Sequence, residues 1–275
     1  MTRRTFIKRG LAATAFLGGG SLAYAGEFER HGIEFSTVPL RLGLSRPLRV
    51  ALLADLHFDP LYETAWLGEI FRLVAAREPD IVLMAGDFVT RTTERFEEFG
   101  PLAATMRAPF GMFAALGNHD HWSDRWESRT GGTRKIGRVF AANGIRLLRN
   151  TAIPLPMNPG WVLAGTESAW AGKPDPALFS RYPADTRFIA IVHEPDAWDV
   201  VNDPRIRLQV SGHTHGGQVR APIYGALALP SWGRKYDAGL FTRGERNLYV
   251  NRGIGTVGVP FRVNCAPEVT ILELS

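Results

Sequence analysis

The chain has 275 residues, 45% hydrophobic and 21% charged, which supports a sizeable globular core and excludes a fibrous or disordered chain. The formal charge is +5, but residues 1–25 hold four basic side chains (Arg3, Arg4, Lys8, Arg9) and no acid, so the remainder carries 5 − 4 = +1. Near neutrality removes the main support for a nucleic-acid-binding surface, and one cysteine, Cys265, excludes an intramolecular disulfide and a thiolate metal cluster.

In chain order, residues 1–25 read first, as an export signal. Thr2-Arg3-Arg4-Thr5-Phe6-Ile7-Lys8 has the paired arginines, aromatic, aliphatic and lysine of a twin-arginine (Tat) leader. A mildly apolar run from Gly10 to Ala23 follows, and Ala23-Tyr24-Ala25 is a small-x-small cleavage pattern. The run is too short and glycine-rich to predict a membrane span. Residues 26–275 are expected to form one domain, exported by the Tat machinery to the periplasm or the outer face of the cytoplasmic membrane.

Within that domain, apolar runs predict strands at Leu48–Ala54, Ile81–Ala85, Met112–Leu116, Gly160–Ala164, Phe188–Val192, Arg207–Val210, Asn247–Asn251 and Val269–Leu274. Helices are predicted near Glu63–Arg77, Thr93–Arg107 and Arg134–Asn143. The early alternation of strand and helix implies right-handed βαβ units and a largely parallel sheet. The later part, richer in strands and turns, implies a second sheet packed on the first. Cys265, in an apolar C-terminal segment, is expected to be a buried structural thiol.

Of the seven histidines, five lie in short clusters with oxygen-bearing residues: Asp55-Leu56-His57, Gly117-Asn118-His119-Asp120, His193-Glu194 and Gly212-His213-Thr214-His215. Gly86-Asp87 is a fifth cluster, without histidine. Each follows the carboxyl end of a predicted strand, where α/β sheets build their sites. Histidine and carboxylate supply the N and O donors that divalent transition metals prefer. In Asp55-x-His57 alternate side chains of an extended segment reach the same side. His213-x-His215 has the same spacing, with a twist able to direct the two imidazoles to different ions. Asp87, Asn118 and His193 complete a set of seven donors. That is too many for one tetrahedral ion with an open position, and it fits two ions sharing Asp87. Such a pair suits in-line displacement at phosphorus, with a bound water brought to hydroxide near neutral pH.

The order D-x-H, G-D, G-N-H-D, H, G-H-x-H resembles the calcineurin-like metallophosphoesterase superfamily over about residues 45–275. The stretches Val192-His193-Glu194-Pro195-Asp196, Gly212-His213-Thr214-His215-Gly216-Gly217-Gln218 and Val250-Asn251-Arg252-Gly253-Ile254-Gly255-Thr256 are similar to its exported bacterial YaeI-like phosphodiesterase branch. The resemblance implies a four-layer α/β/β/α sandwich of two mixed sheets flanked by helices. It implies one metal on Asp55, His57, Asp87 and His215 and another on Asp87, Asn118, His193 and His213. His119 would contact the phosphate or protonate the leaving oxygen, with Asp120 orienting it. Relatives often carry an acidic pair where this chain has Gly165-Thr166-Glu167-Ser168, a departure that leaves the ligands intact.

The expected cofactors are two divalent ions, manganese or iron in preference to zinc, since Tat export carries folded protein and allows loading before export. The expected substrate is an envelope phosphodiester or pyrophosphate, lipid- or cell-wall-linked, with peripheral membrane association and no nucleic-acid complex. A phosphomonoesterase or nucleotidase, a UDP-sugar-lipid pyrophosphatase and a non-catalytic envelope-binding protein remain as alternatives. Trp122 and Trp126, four apart, would share a helix face near Arg125 and Arg129, as a packed surface or as a cap over the substrate.

Overall fold

The computed structural model describes residues 29–58, 64–126 and 131–275; the predicted export signal lies outside them. Strand β1 (Glu34–Leu40) leads to β2 (Leu48–Leu53), helix α1 (Thr64–Ala75), β3 (Ile81–Ala85), helix α2 (Phe96–Ala103), β4 (Met112–Ala115), helices α3 (Asn118–Trp126) and α4 (Gly132–Ala142), and β5 (Ile145–Leu147). These strands and the C-terminal β14 (Glu268–Leu274) form one sheet in the order β1-β14-β2-β3-β4-β5. From β2 to β5 the strands are parallel, whereas β14 runs antiparallel to β2 and parallel to β1.

The second sheet joins β6 (Thr151–Pro154), β7 (Trp161–Gly165), β8 (Arg187–Ile191), β9 (Ile206–Ser211), β12 (Gly239–Arg243) and β13 (Arg246–Val250) in the order β12-β13-β9-β8-β7-β6. Its central pairs are parallel and its two edge pairs antiparallel. A two-stranded hairpin, β10 (Arg220–Ala221) with β11 (Gly225–Ala226), stands apart from both sheets.

The continuous apolar runs are strands buried on both faces. Along β3, Val82 and Met84 join the core under the helices, while Ile81, Leu83 and Ala85 join the core between the sheets. Along β8, Ile189 and Ile191 enter that same middle core, and Phe188 and Ala190 face outward into a third. Helix α1 presents Leu67, Ile70, Phe71 and Val74 at the spacing of one helix face. Phe71, Phe88, Phe96, Phe99 and Phe140 then interlock above the first sheet, with Phe99 against the other four. The fourth layer is thin: a 3-10 turn at Phe179–Arg181 and the short helix α5 (Ala197–Val200) cover the second sheet.

The chain thus has the expected two mixed sheets with flanking helices. The segment predicted as one helix over Thr93–Arg107 divides into α2 and a 3-10 turn at Ala104–Met106; Pro101, inside α2, lacks a backbone donor. Several elements went unpredicted, among them β1, β5, β6, β12 and α3. Strand β1 is a half-buried edge strand without a continuous apolar run. Helix α3, which begins inside the Asn118-His119-Asp120 motif, carries polar ligand-type residues in its first turn.

Candidate metal centre

All the donor clusters meet along one edge of the sandwich. Asp55 and His57 follow β2, Asp87 follows β3, Asn118 opens α3 after β4, His193 follows β8, and His213 and His215 follow β9. Five of these seven residues hold left-handed backbone: Asp55 (φ 48°), His57 (45°), Asp87 (54°), His213 (74°) and His215 (52°). Such conformations cost about 1–3 kcal/mol each outside glycine and persist where surrounding structure enforces them. Here the enforcement is a backbone lattice: Asp55 N–H donates to Gly86 O (2.9 Å), His57 N–H to Asp87 O (3.0 Å) and Gly255 N–H to Asp55 O (2.7 Å). The glycines of the motifs permit it. A Cβ on Gly86 would lie 2.6 Å from His193 Nδ1 and 2.7 Å from Gly117 N.

The side chains fall into two groups, Asp55–His57–His215 and Asp87–His193–His213, each with its ligand atoms within 4.8 Å of one another. In the first, His57 Nε2 and His215 Nε2 face each other at 3.1 Å, and Asp55 Oδ1 lies 3.9 Å from His215 Nε2. In the second, His193 Nε2 lies 3.2 Å from Asp87 Oδ2. The same Asp87 oxygen is 3.8 Å from His57 Nε2, so one carboxylate reaches both groups. Asn118 Oδ1 is buried with no hydrogen-bond partner among the described residues. A buried acceptor left unpaired is costly, and an ion beside Asn118, His193 and Asp87 would satisfy it. The residues therefore fit two divalent cations.

Backbone carbonyls set the imidazoles. His193 Nδ1–H donates to Ala85 O at 2.6 Å, leaving Nε2 toward Asp87, and His213 Nε2–H donates to Ser231 O at 2.8 Å, leaving Nδ1. His119 Nδ1–H donates to Thr90 O at 2.8 Å. The charges agree with a cation site. Burial lowers His57 to about 3, and burial takes His215 well below the usual range, so both are neutral donors. Burial, opposed by His193 and reinforced by repulsion from Asp87, raises Asp55 to about 7. Burial also pushes Asp87 up, but His193, His119 and His57 together outweigh it and hold the carboxyl well below its usual value. A pocket in which buried carboxylates repel one another is short of positive charge, which bound cations supply.

The structure corrects the role expected for Asp120. Its Oδ2 accepts from Gly117 N (2.9 Å) and Asp87 N (3.0 Å), and its Oδ1 accepts from Phe88 N (2.8 Å) and Val89 N (3.2 Å). Asp120 ties the loop after β3 to the start of α3, and Thr90, not Asp120, orients His119. Replacing Asp120 with alanine strands four buried backbone donors at about 1–3 kcal/mol each. We expect a loss of at least about 3 kcal/mol, read as a lower midpoint in chemical denaturation. An unchanged midpoint with lost activity would restore the orienting role.

The remaining residues sort clearly. His31 is remote, its ring edge-on to Trp66. His121 Nε2 sits 2.6 Å from Glu167 Oε2, and Glu167 also pairs with Arg149, which accounts for the Gly165–Ser168 departure without a ligand role. Glu194 accepts from Ser168 Oγ and from Ala169 N (2.8 Å), holding Trp170 beside His213 with ring centroids 5.6 Å apart. Trp122 packs on both His119 and Trp170, each at 4.9 Å, so it belongs to the rim of the site; Arg129 lies outside the described residues. Cys265 is buried, as expected, its Sγ 3.2 Å from His215 O.

Sequence reasoning missed Thr90, Trp170 and Arg262. Thr90 Oγ1 lies 3.2 Å from His57 Nδ1 while its carbonyl holds His119, and its place three residues after Asp87 was the available signal. Arg262 is fully buried behind His215 and donates to the carbonyls of Arg252, Gly253, Gly255 and Cys265. It thereby fixes the Asn251–Gly255 loop, whose Ile254 and Gly255 amides donate to Ala54 O and Asp55 O.

Residues 48–217 match the calcineurin-like phosphoesterase family. The chain is 34% identical to the phosphodiesterase YaeI of Escherichia coli (strain K12), over all of this chain and 99% of that protein. It is 31% identical to YkuE of Bacillus subtilis (strain 168), named an uncharacterized metallophosphoesterase, over all of this chain and 98% of that protein. A more distant likeness, at 28% identity, is to the UDP-2,3-diacylglucosamine pyrophosphatase LpxG of Chlamydia trachomatis, over 79% of this chain and 81% of that one.

Proposed function

We propose that this chain, which belongs to the calcineurin-like phosphoesterase family, is a two-metal hydrolase of phosphodiesters or pyrophosphates outside the cytoplasm. The observation that carries the diester reading is that His119 lies between two cavities. One, of about 460 Å³, is also lined by Asp87, Asn118, His213 and His215; the other, of about 340 Å³, by Thr90, Arg91, Trp122 and Arg125. A phosphorus atom beside His119 has room for a substituent on either side. Arg91 and Arg125 would favour a charged group on theirs. The phosphodiesterase and pyrophosphatase names of two relatives agree with this reading.

Asp55, His57, Asp87 and His215 would hold one ion, and Asp87, Asn118, His193 and His213 the other. Two divalent ions there would lower the pKa of a bound water and offset charge on the phosphoryl oxygens. The protein's own part is to orient and to move a proton. His119 has committed Nδ1–H to Thr90 O, so Nε2 is the ring atom left to protonate the departing oxygen. The His119 backbone N–H donates to Asp87 Oδ1 at 2.8 Å, which couples the position of the acid to the shared carboxylate.

All-nitrogen-and-oxygen donors without thiolate suit manganese or iron, with zinc the competitor. The residue 1–25 pattern supports twin-arginine export and peripheral association with the envelope. No helix among the described residues is long and apolar enough to cross a membrane. With manganese supplied, the full chain should hydrolyse bis(p-nitrophenyl) phosphate with a kcat/KM at least tenfold above that for p-nitrophenyl phosphate. Preference for the monoester would overturn the diester reading.

A further inference from the structure

The larger cavity beside the metal ligands changes character as it leaves them. Beyond His213 and His215 its walls are Leu227, Leu229, Pro230, Val257 and Val259, with Trp170 at the rim. Gln218 is the polar side chain along this stretch, and its amide is spent on backbone: Nε2–H donates to Val259 O (2.8 Å) and Val257 O (3.2 Å), and Oε1 accepts from Val257 N (2.9 Å). That clamp folds the loop at 257–259 against the turn at His215–Gly217 and leaves hydrocarbon facing the cavity.

The apolar character continues outward. Val219 and Leu227 line the cavity and are joined by a Leu227 N–H to Val219 O bond of 3.1 Å, and the β10–β11 hairpin rises between them. At its tip Ile223 and Tyr224 are almost fully exposed, and Leu227 and Val259 are 65% and 43% exposed. Ile223 holds φ 72°, a conformation that β-branched residues rarely adopt. The charge nearby is turned aside: Arg220 Nη1 donates to Asp237 Oδ2 at 2.8 Å and to Gly216 O at 2.6 Å. Contiguous exposed apolar surface of this kind marks an interaction site. The cavity begins at Asp87, Asn118 and His119, so a substituent of a phosphorus held there would enter it.

We propose that this channel receives a hydrocarbon chain esterified to the phosphate, so that the substrate is an amphiphile with its chain between Leu227–Pro230 and Val257–Val259 and its polar remainder on the Arg91–Arg125 side. This deepens the phosphodiesterase reading and rests on it for the chemistry, though not for the binding.

The test uses the full chain loaded with manganese and two p-nitrophenyl alkyl phosphodiesters, butyl and dodecyl, both below their micellar concentrations. Burial of even a few methylenes should raise kcat/KM for the dodecyl ester at least tenfold over the butyl ester. Leu227→Asp should bring that ratio to within threefold of unity. Calorimetric titration with butyl phosphate and dodecyl phosphate reads binding without turnover, and dodecyl phosphate should bind at least tenfold more tightly. Equal kcat/KM for the esters, or equal affinity for the phosphates, overturns the channel. Failure of both esters to turn over, with tighter binding of dodecyl phosphate intact, instead overturns the phosphodiesterase reading and leaves the channel standing.

Discussion

Asp87→Ala is expected to lower kcat/KM for a diester on the order of 10³-fold or more, a larger loss than removal of one oxyanion donor. The reason is geometric. One Asp87 oxygen lies 3.2 Å from His193 Nε2 and 3.8 Å from His57 Nε2, so its loss opens both donor groups at once. The other oxygen accepts from the His119 backbone N–H, so the acid is released as well. The fold should survive the change, because the Asp87 backbone N–H stays bonded to the Asp120 carboxylate. Steady-state kinetics with saturating manganese, beside an unchanged far-ultraviolet circular dichroism spectrum, checks both halves. Activity within tenfold of the parent would show that Asp87 is not shared.

His119→Ala should separate proton transfer from metal binding. Its ring lies 5.0 Å from that of His57, at 84°, and is anchored through Nδ1 to Thr90 O rather than to a ligand. Metal content should therefore be retained. The loss in kcat should be about 10²–10⁴-fold for a diester with an alkoxide leaving group, which cannot depart unprotonated. It should be much smaller for a p-nitrophenolate, which can. Equal losses for the two leaving groups would assign His119 to phosphate binding rather than to protonation.

Much of this site was legible in the sequence. Asp55, His57, Asp87, Asn118, His193, His213 and His215 each follow a strand buried on both faces, and such strands announce themselves as continuous apolar runs. Once the strands are placed, parallel topology carries their carboxyl ends to one edge. The partners that orient the ligands were not legible. Ala85, Thr90 and Ser231 act through backbone carbonyls, which every residue possesses, so no side-chain pattern marks them. Asp120 misled because it adjoins His119 in sequence. The two open a helix, where successive side chains diverge by about 100°, and Asp120 turns back to the loop after β3.

The same reasoning explains the elements that escaped. Strand β1 gains its place from pairing with the C-terminal β14, over two hundred residues away, and its half-buried side chains give no run of apolar residues. The left-handed turns at Asp55, His57, Asp87, His213 and His215 are imposed by the lattice of loops around them, and only the neighbouring glycines hinted at so tight a convergence.

The central claim is that two ions share Asp87, and anomalous diffraction from crystals of the manganese-loaded protein tests it most directly. Two peaks about 3.5–4 Å apart are expected, one among Asp55, His57 and His215 and the other among Asn118, His193 and His213, with Asp87 reaching both. A single fully occupied peak, or two peaks of which Asp87 touches only one, would contradict the account.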